Sequence, residues 1–174
     1  METGPGTDAK YYLGPLISAA ARDKALDYIE RAKAEGAQLL CGGSSDRGDL
    51  AHGNYMAPAV LDNVQTTMAI AQEEVFGPVL AVLRVADFDA AIRVANDVAF
   101  GLSASVFTRN LDKAMRFARE VEAGLVRING ETAGVEPQAP FGGMKNSSSF
   151  SREQGQAAKE FYTQVKTISM DRAD

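Results

Sequence analysis

Glu73, Glu74 and Phe76 bring two carboxylates and an aromatic ring together just ahead of Gly77-Pro78. A carboxylate accepts hydrogen bonds and donates none, so one such group can take both hydroxyls of a ribose. An aromatic face close by can pack on a flat heterocycle. The same spacing also describes something plainer, an acidic pair in water before a strand, with Phe76 as ordinary core. By residue type alone the plainer reading prevails, because most such pairs are solvated surface. A second ring, Phe141, stands in Pro140-Phe-Gly-Gly143, where two glycines permit close backbone approach. It serves equally well as a hydrophobic latch that pins a loop. Lys24 adds a cation on the first helix, and a solvated lysine is the plain reading of it.

The chemistry that the chain excludes is clearer. It holds one cysteine, Cys41, and one histidine, His52, too few for an internal disulfide or a Cys/His zinc cluster, and no metal site is expected. Cys41 lies in the apolar run Leu39-Leu40-Cys41 with no neighbouring base or cation to activate it. A buried, inert thiol is expected there. His52, in the polar stretch before Asn54-Tyr55, reads as a solvated loop residue. The net charge of −5 carries no basic cluster, which argues against nucleic acid and favours a small acidic or neutral metabolite. No apolar run approaches membrane-spanning length. The first eight residues have neither a cationic nor an apolar leader segment, so a soluble, cytoplasmic protein is expected.

These residues need a scaffold, and 174 residues, 45% hydrophobic and 24% charged, fill about one domain-sized core. Ser18 precedes apolar residues at helical spacing, Ala25, Leu26, Ile29 and Ala32, and Gly36 stops them. Residues 38–41 read as a short buried strand closed by Gly42-Gly43. Residues 56–61 and 79–85 are Val- and Leu-rich, as in strands covered on both faces. Asp87 and Asn110 stand where they can cap helices running to about Ala95 and Val121, with residues 102–108 and 125–129 as strands beside them. Such alternation predicts an α/β fold with a mostly parallel sheet and flanking helices. Ser151-Arg-Glu-Gln154 has capping-box spacing and predicts another helix. Residues 165–170 alternate as a terminal strand that must find a partner. Residues 130–143 form the one long irregular stretch, of a kind more often functional than decorative.

Six segments give these residues a common setting. Leu13-Gly-Pro-Leu-Ile-Ser18, Glu35-Gly-Ala-Gln-Leu-Leu-Cys-Gly-Gly43, Gln72-Glu-Glu-Val-Phe-Gly-Pro-Val79 and Asn96 to Leu102 are followed by Gly124-Leu-Val-Arg-Ile-Asn129 and Pro140-Phe-Gly-Gly-Met-Lys145. In order and in spacing they resemble the aldehyde dehydrogenase superfamily over nearly the whole chain. The resemblance implies a subunit with a Rossmann-like cofactor domain, a catalytic α/β domain and a small oligomerisation hairpin. This chain is similar to the later part of the catalytic domain, residues 1–163, plus the last oligomerisation strand and tail, residues 164–174.

In that family a cysteine thiolate attacks the aldehyde, amide donors hold the oxyanion, hydride passes to NAD or NADP, and a glutamate activates the water that releases the acid. The resemblance places the nucleophile, the general base and the oxyanion asparagine ahead of Met1. No catalytic residue is therefore expected in this chain, and it is expected to be inactive alone. It also implies cofactor roles for Glu74 and Phe76, which reverses the odds set by residue type, a role near the cofactor's ribose for Lys24, which stands no higher than its reading as a solvated lysine, and substrate-pocket roles for Phe141, Val135 and Gly134.

Residues 131–138 look like the substrate-entrance loop. The segments Gly134 to Gly143, Ser151 to Gly155 and Lys159 to Thr163 are similar to dehydrogenases of 2-oxoglutarate semialdehyde, which suggests that substrate. Asn146 and Phe150 depart from the family, which has small residues there. A homo-oligomer is expected. A reading from another class is a non-catalytic assembly module derived from such an enzyme, pairing through its last strand.

Overall fold

In the computed structural model, residues 2–45, 50, 52–134 and 136–173 are described. The chain divides into two compact units, Met1–Asp87 and Phe88–Asp174.

The first unit is organised by helix α1, Ala19–Ala34. The Ser18 side chain accepts from the Ala21 N–H at 3.1 Å, which satisfies one of the amides that a helix start leaves open. Arg31 and Lys33 in the last turn complement the negative end of the helix dipole. Ala25, Tyr28, Ile29 and Ala32 recur on one face and are buried. Ile29 meets Met56 and Leu61, the other large side chains fully withdrawn from water. Enclosing each stabilises the fold by about 1.5–3 kcal/mol before entropy is counted.

Strands β1 (Gln38–Cys41), β2 (Ala59–Asp62) and β3 (Val79–Ala81) form a mixed sheet with β2 in the centre. Strand β1 pairs antiparallel, Leu39 opposite Leu61, and β3 pairs parallel, Val60 opposite Leu80. Strand β2 is buried as its Val/Leu content predicts. Strand β1 is not the buried strand expected. As an edge strand it exposes Gln38, Leu40 and Cys41 and half-buries only Leu39. Asp62, buried at the end of β2, accepts from Arg84 Nε at 3.1 Å, from its Nη2 at 2.5 Å, and from the Asn63 N–H at 2.8 Å. The arginine bonds hold the Asp62 carboxyl below its usual range. A short helix, α2 (Ala69–Gln72), leads towards β3.

The second unit begins with α3, Phe88–Asn96, directly after Asp87. Strands β4 (Phe100–Gly101), β5 (Ser103–Val106) and β6 (Leu125–Ile128) follow, with α4 (Leu111–Glu120) between β5 and β6. Asn110 caps α4, accepting from the Lys113 N–H at 2.9 Å. Strands β5 and β6 run parallel, joined through α4, and Phe117 and Val121 pack with Ile92 and Ala123. Strand β7, Met144–Lys145, pairs antiparallel with β4.

The α/β character is as the alternation predicts, but parallel pairing accounts for only two of the four strand ladders among the described residues. The helix expected to open at Ser151 starts later, as a 3₁₀ turn at Gly155–Ala157 followed by α5, Ala158–Phe161. Glu153 explains the delay. Its N–H and C=O are both bonded to Phe141, so its backbone serves a bridge and cannot join a helix. Residues 165–170 form no strand. Val165, Ile168 and Met170 are exposed, and a lone extended segment with no ladder partner gains no strand geometry.

Candidate functional site

The segment from Glu73 to Gly77 leaves α2 and lies against α1, which fixes it by three contacts. The Tyr28 hydroxyl donates to Glu73 Oε2 at 2.5 Å. Lys24 Nζ donates to the Glu74 carbonyl at 3.1 Å. At Gly77 a side chain would place its Cβ 2.8 Å from that of Ala25, so only glycine lets the segment approach the helix this closely.

Between these ties Phe76 takes φ +56°, a left-handed conformation that a bulky residue adopts only when its surroundings impose it. The ring is 77% exposed, so the reading of Phe76 as ordinary core is overturned. The Glu74 side chain is also exposed, and its carboxylate has no hydrogen-bond partner among the described residues. An unengaged acceptor and an open aromatic face thus stand two residues apart on a held backbone. Glu73 instead serves the fold through Tyr28. That bond, together with burial and the Glu73 charge, pushes the Tyr28 phenol above its ordinary value and keeps it a donor.

In the second unit, Phe141 and Gly134 line one cavity of about 240 Å³ with Ser103, Leu125, Arg127 and Glu136. Val135 lies outside the described residues. Arg127 organises this loop, donating to Glu136 Oε1 and to the Gly134 carbonyl, each at 3.2 Å. Phe141 is half-buried, and its backbone is bridged to that of Glu153. The adjacent glycines serve close approach within the chain. A Cβ at Gly124 would lie 1.9 Å from the Gly142 carbonyl oxygen, and one at Gly143 2.6 Å from the Ser147 Cβ. Asn146 donates its N–H to Ala99, while Phe150, at φ +69°, points its ring into solvent.

Cys41 is exposed on the edge strand, which corrects the expected burial of its thiol. His52 is exposed in a turn, as expected. Among the described residues no group of three or more His, Cys, Asp or Glu side chains could hold a metal, and no helix is long and apolar enough to cross a membrane.

The sequence model of the aldehyde dehydrogenase family matches residues 1–168. The chain belongs to the aldehyde dehydrogenase family. It is 55% identical over 158 residues to the alpha-ketoglutaric semialdehyde dehydrogenase of Bacillus subtilis, covering 90% of this chain and 32% of that protein. It is 49% identical over 170 residues to the alpha-ketoglutarate semialdehyde dehydrogenase of Haloferax volcanii, covering 97% and 35%. Among solved structures it superposes with a TM-score of 0.88 on betaine aldehyde dehydrogenase of Staphylococcus aureus in complex with NAD+. That match is 42% identical and covers 92% of this chain and 32% of the other. The chain thus spans about a third of the length of the curated relatives it matches.

Three residues that hold this aldehyde dehydrogenase chain's loops escaped the sequence reading. Tyr28 is the one hydroxyl on the buried face of α1, and a buried phenol needs a partner, which was a usable signal. Arg127 interrupts an apolar strand, another such signal. Lys145 gave none. Its ammonium donates to the Asn96 and Val98 carbonyls at 2.6 and 3.0 Å and pairs with Glu122 at 2.6 Å, closing the end of α3. Two of the six motif segments therefore meet through one side chain.

Proposed function

We propose that this chain forms part of an aldehyde dehydrogenase that oxidises a semialdehyde, with 2-oxoglutarate semialdehyde the substrate class favoured by the names of its relatives. The observation that carries the cofactor side of the reading is the unpartnered Glu74 carboxylate beside the outward Phe76 ring. An acceptor-only group fits the two hydroxyls of a ribose, and an open aromatic face fits a flat nicotinamide, so the residues present suit NAD or NADP.

When bound, that cofactor takes up hydride from the aldehyde carbon. Glu74 would accept from the ribose hydroxyls and Phe76 would pack against the nicotinamide. Lys24 spends one of its three donors on the Glu74 carbonyl, leaving two that can face the cofactor. In the second unit Phe141 and Gly134 would shape the aldehyde pocket, with Arg127 fixing the course of the loop.

The sequence's one thiol, Cys41, is exposed on an edge strand and makes no hydrogen bond or ion pair among the described residues, so no activated nucleophile is expected here. The purified chain mixed with NAD or NADP and a short semialdehyde is expected to reduce no cofactor. Reduction that survives Cys41→Ser would overturn the account. A titration with NAD followed by NMR is expected to move the Glu74 and Phe76 signals, and Glu74→Gln to weaken the effect several-fold.

A second reading, assembly with copies of itself or with a longer dehydrogenase through residues 164–174, is favoured by the exposure of Val165, Ile168 and Met170. It expects a dimer or larger in solution. A stable monomer by light scattering contradicts it.

A further inference from the structure

We propose that Tyr28 and Glu73 act as a clamp whose function is to position the Glu74–Phe76 surface for its ligand, an inference that rests on the cofactor reading of that surface. Tyr28 is withdrawn from solvent, and Glu73 is exposed but spends its carboxylate on the phenol. Tyr28 is 7% exposed and packed in the core of the first unit, and Glu73 is the residue at which α2 ends.

Tyr28 is braced before it reaches Glu73. Lys24 Nζ and the Arg31 guanidinium lie 5.6 and 5.1 Å from its ring, one helical turn to either side, and the phenol emerges at the Glu73 carboxylate. Three residues later the backbone turns left-handed at Phe76. A conformation of that kind persists only when both flanks are fixed. On the far flank Gly77 abuts Ala25, and on the near flank the fixings are the Tyr28–Glu73 bond and the Lys24 tie to the Glu74 carbonyl. Lys24 holds a carbonyl through a flexible stem, whereas Tyr28 is rigid and buried and gives the flank its register. Releasing Tyr28 therefore lets Phe76 relax towards ordinary φ, which swings its ring and the Glu74 carboxylate together.

The test uses the full chain and reads Phe76 directly. In solution the wild type is expected to show the strong intraresidue amide-to-Hα contact of a positive φ at Phe76. In Tyr28→Phe and Glu73→Ala that contact should weaken, and amide exchange at Val75 to Gly77 should rise about tenfold, with β2 amides changing less than about twofold. Glu73→Gln keeps an oxygen for the phenol and is expected to behave as wild type. An unchanged Phe76 in Tyr28→Phe, or an equal rise in exchange throughout β2, overturns the clamp. In the same samples, millimolar NAD should shift the Glu74 and Phe76 signals in the wild type and Glu73→Gln, and less than half as far in Tyr28→Phe. If NAD moves neither signal in the wild type while Phe76 still responds to Tyr28, the cofactor reading fails and the ligand-positioning role falls with it, although the local tether stands.

Discussion

The segment around Glu74 and the loop around Phe141 both present functional candidates, yet they are held in opposite ways. The first is short, follows one turn of helix, and is fixed by buried or close contacts from a single 16-residue helix. The second is long and, among the described residues, carries no regular element between β6 and β7. It is held by an exposed Arg127–Glu136 pair and by the backbone bridge from Phe141 to Glu153. A surface fixed by rigid side chains suits a ligand that never changes, and a loop hung on backbone bonds tolerates new side chains between its anchors. The difference is the one that the proposed roles, an unvarying cofactor for the first region and a changeable aldehyde for the second, would require.

Substitutions can break that contrast. The largest effect is expected at the foot of the loop, where Gly124→Ala would drive a methyl into the Gly142 carbonyl. Because neither backbone can yield cheaply, a loss of about 3 kcal/mol is expected in urea unfolding.

Alkaline pH should separate the two regions next. The folded Tyr28 phenol titrates above its ordinary value of 10.0, mainly through its bond to Glu73. Its contribution is therefore complete below about pH 10 and is lost as pH rises through the raised value. Protection factors, which correct exchange for its base catalysis, should fall at Val75 to Gly77 there while those at residues 138–141 hold, and a parallel fall in both would erase the distinction.

Smaller still, Phe76→Gly removes left-handed strain and should leave the chain as stable or about 0.5 kcal/mol more so, offset in part by glycine's entropy, while abolishing the NAD-induced shifts. A marked loss of stability would show the ring to be structural. Arg127→Ala should cost about 0.5 kcal/mol, as an exposed pair does, but quicken proteolysis within residues 130–139. Unchanged cleavage would show that the loop does not depend on that pair.

Local signals are legible in the sequence, and pairing with distant partners is not. Ser18, Gly36 and Asn110 mark helix ends through bonds to residues a few positions away, and those elements stand as expected. The exposure of β1 depends on which strand lies beside it, which the run Leu39-Leu40-Cys41 cannot encode, so the burial its composition suggests is not found. Likewise Ser151 has the chemistry of a helix cap, but Phe141, ten residues earlier, takes the Glu153 backbone. At the candidate site the motifs singled out Glu74, Phe76, Phe141 and Gly134. The residues that hold them, Tyr28 and Arg127, act across 45 and 9 positions and became visible only with their partners in place.

The left-handed backbone at Phe76 has a further consequence, in timing. Because the unfavourable torsion is set as the first unit packs, the cost of aiming the ring is met once, during folding, and is not met again at each encounter with a ligand. A surface prepared in this way binds without first searching for its shape. Its association rate should then be governed by diffusion and orientation, with no slow rearrangement to wait for.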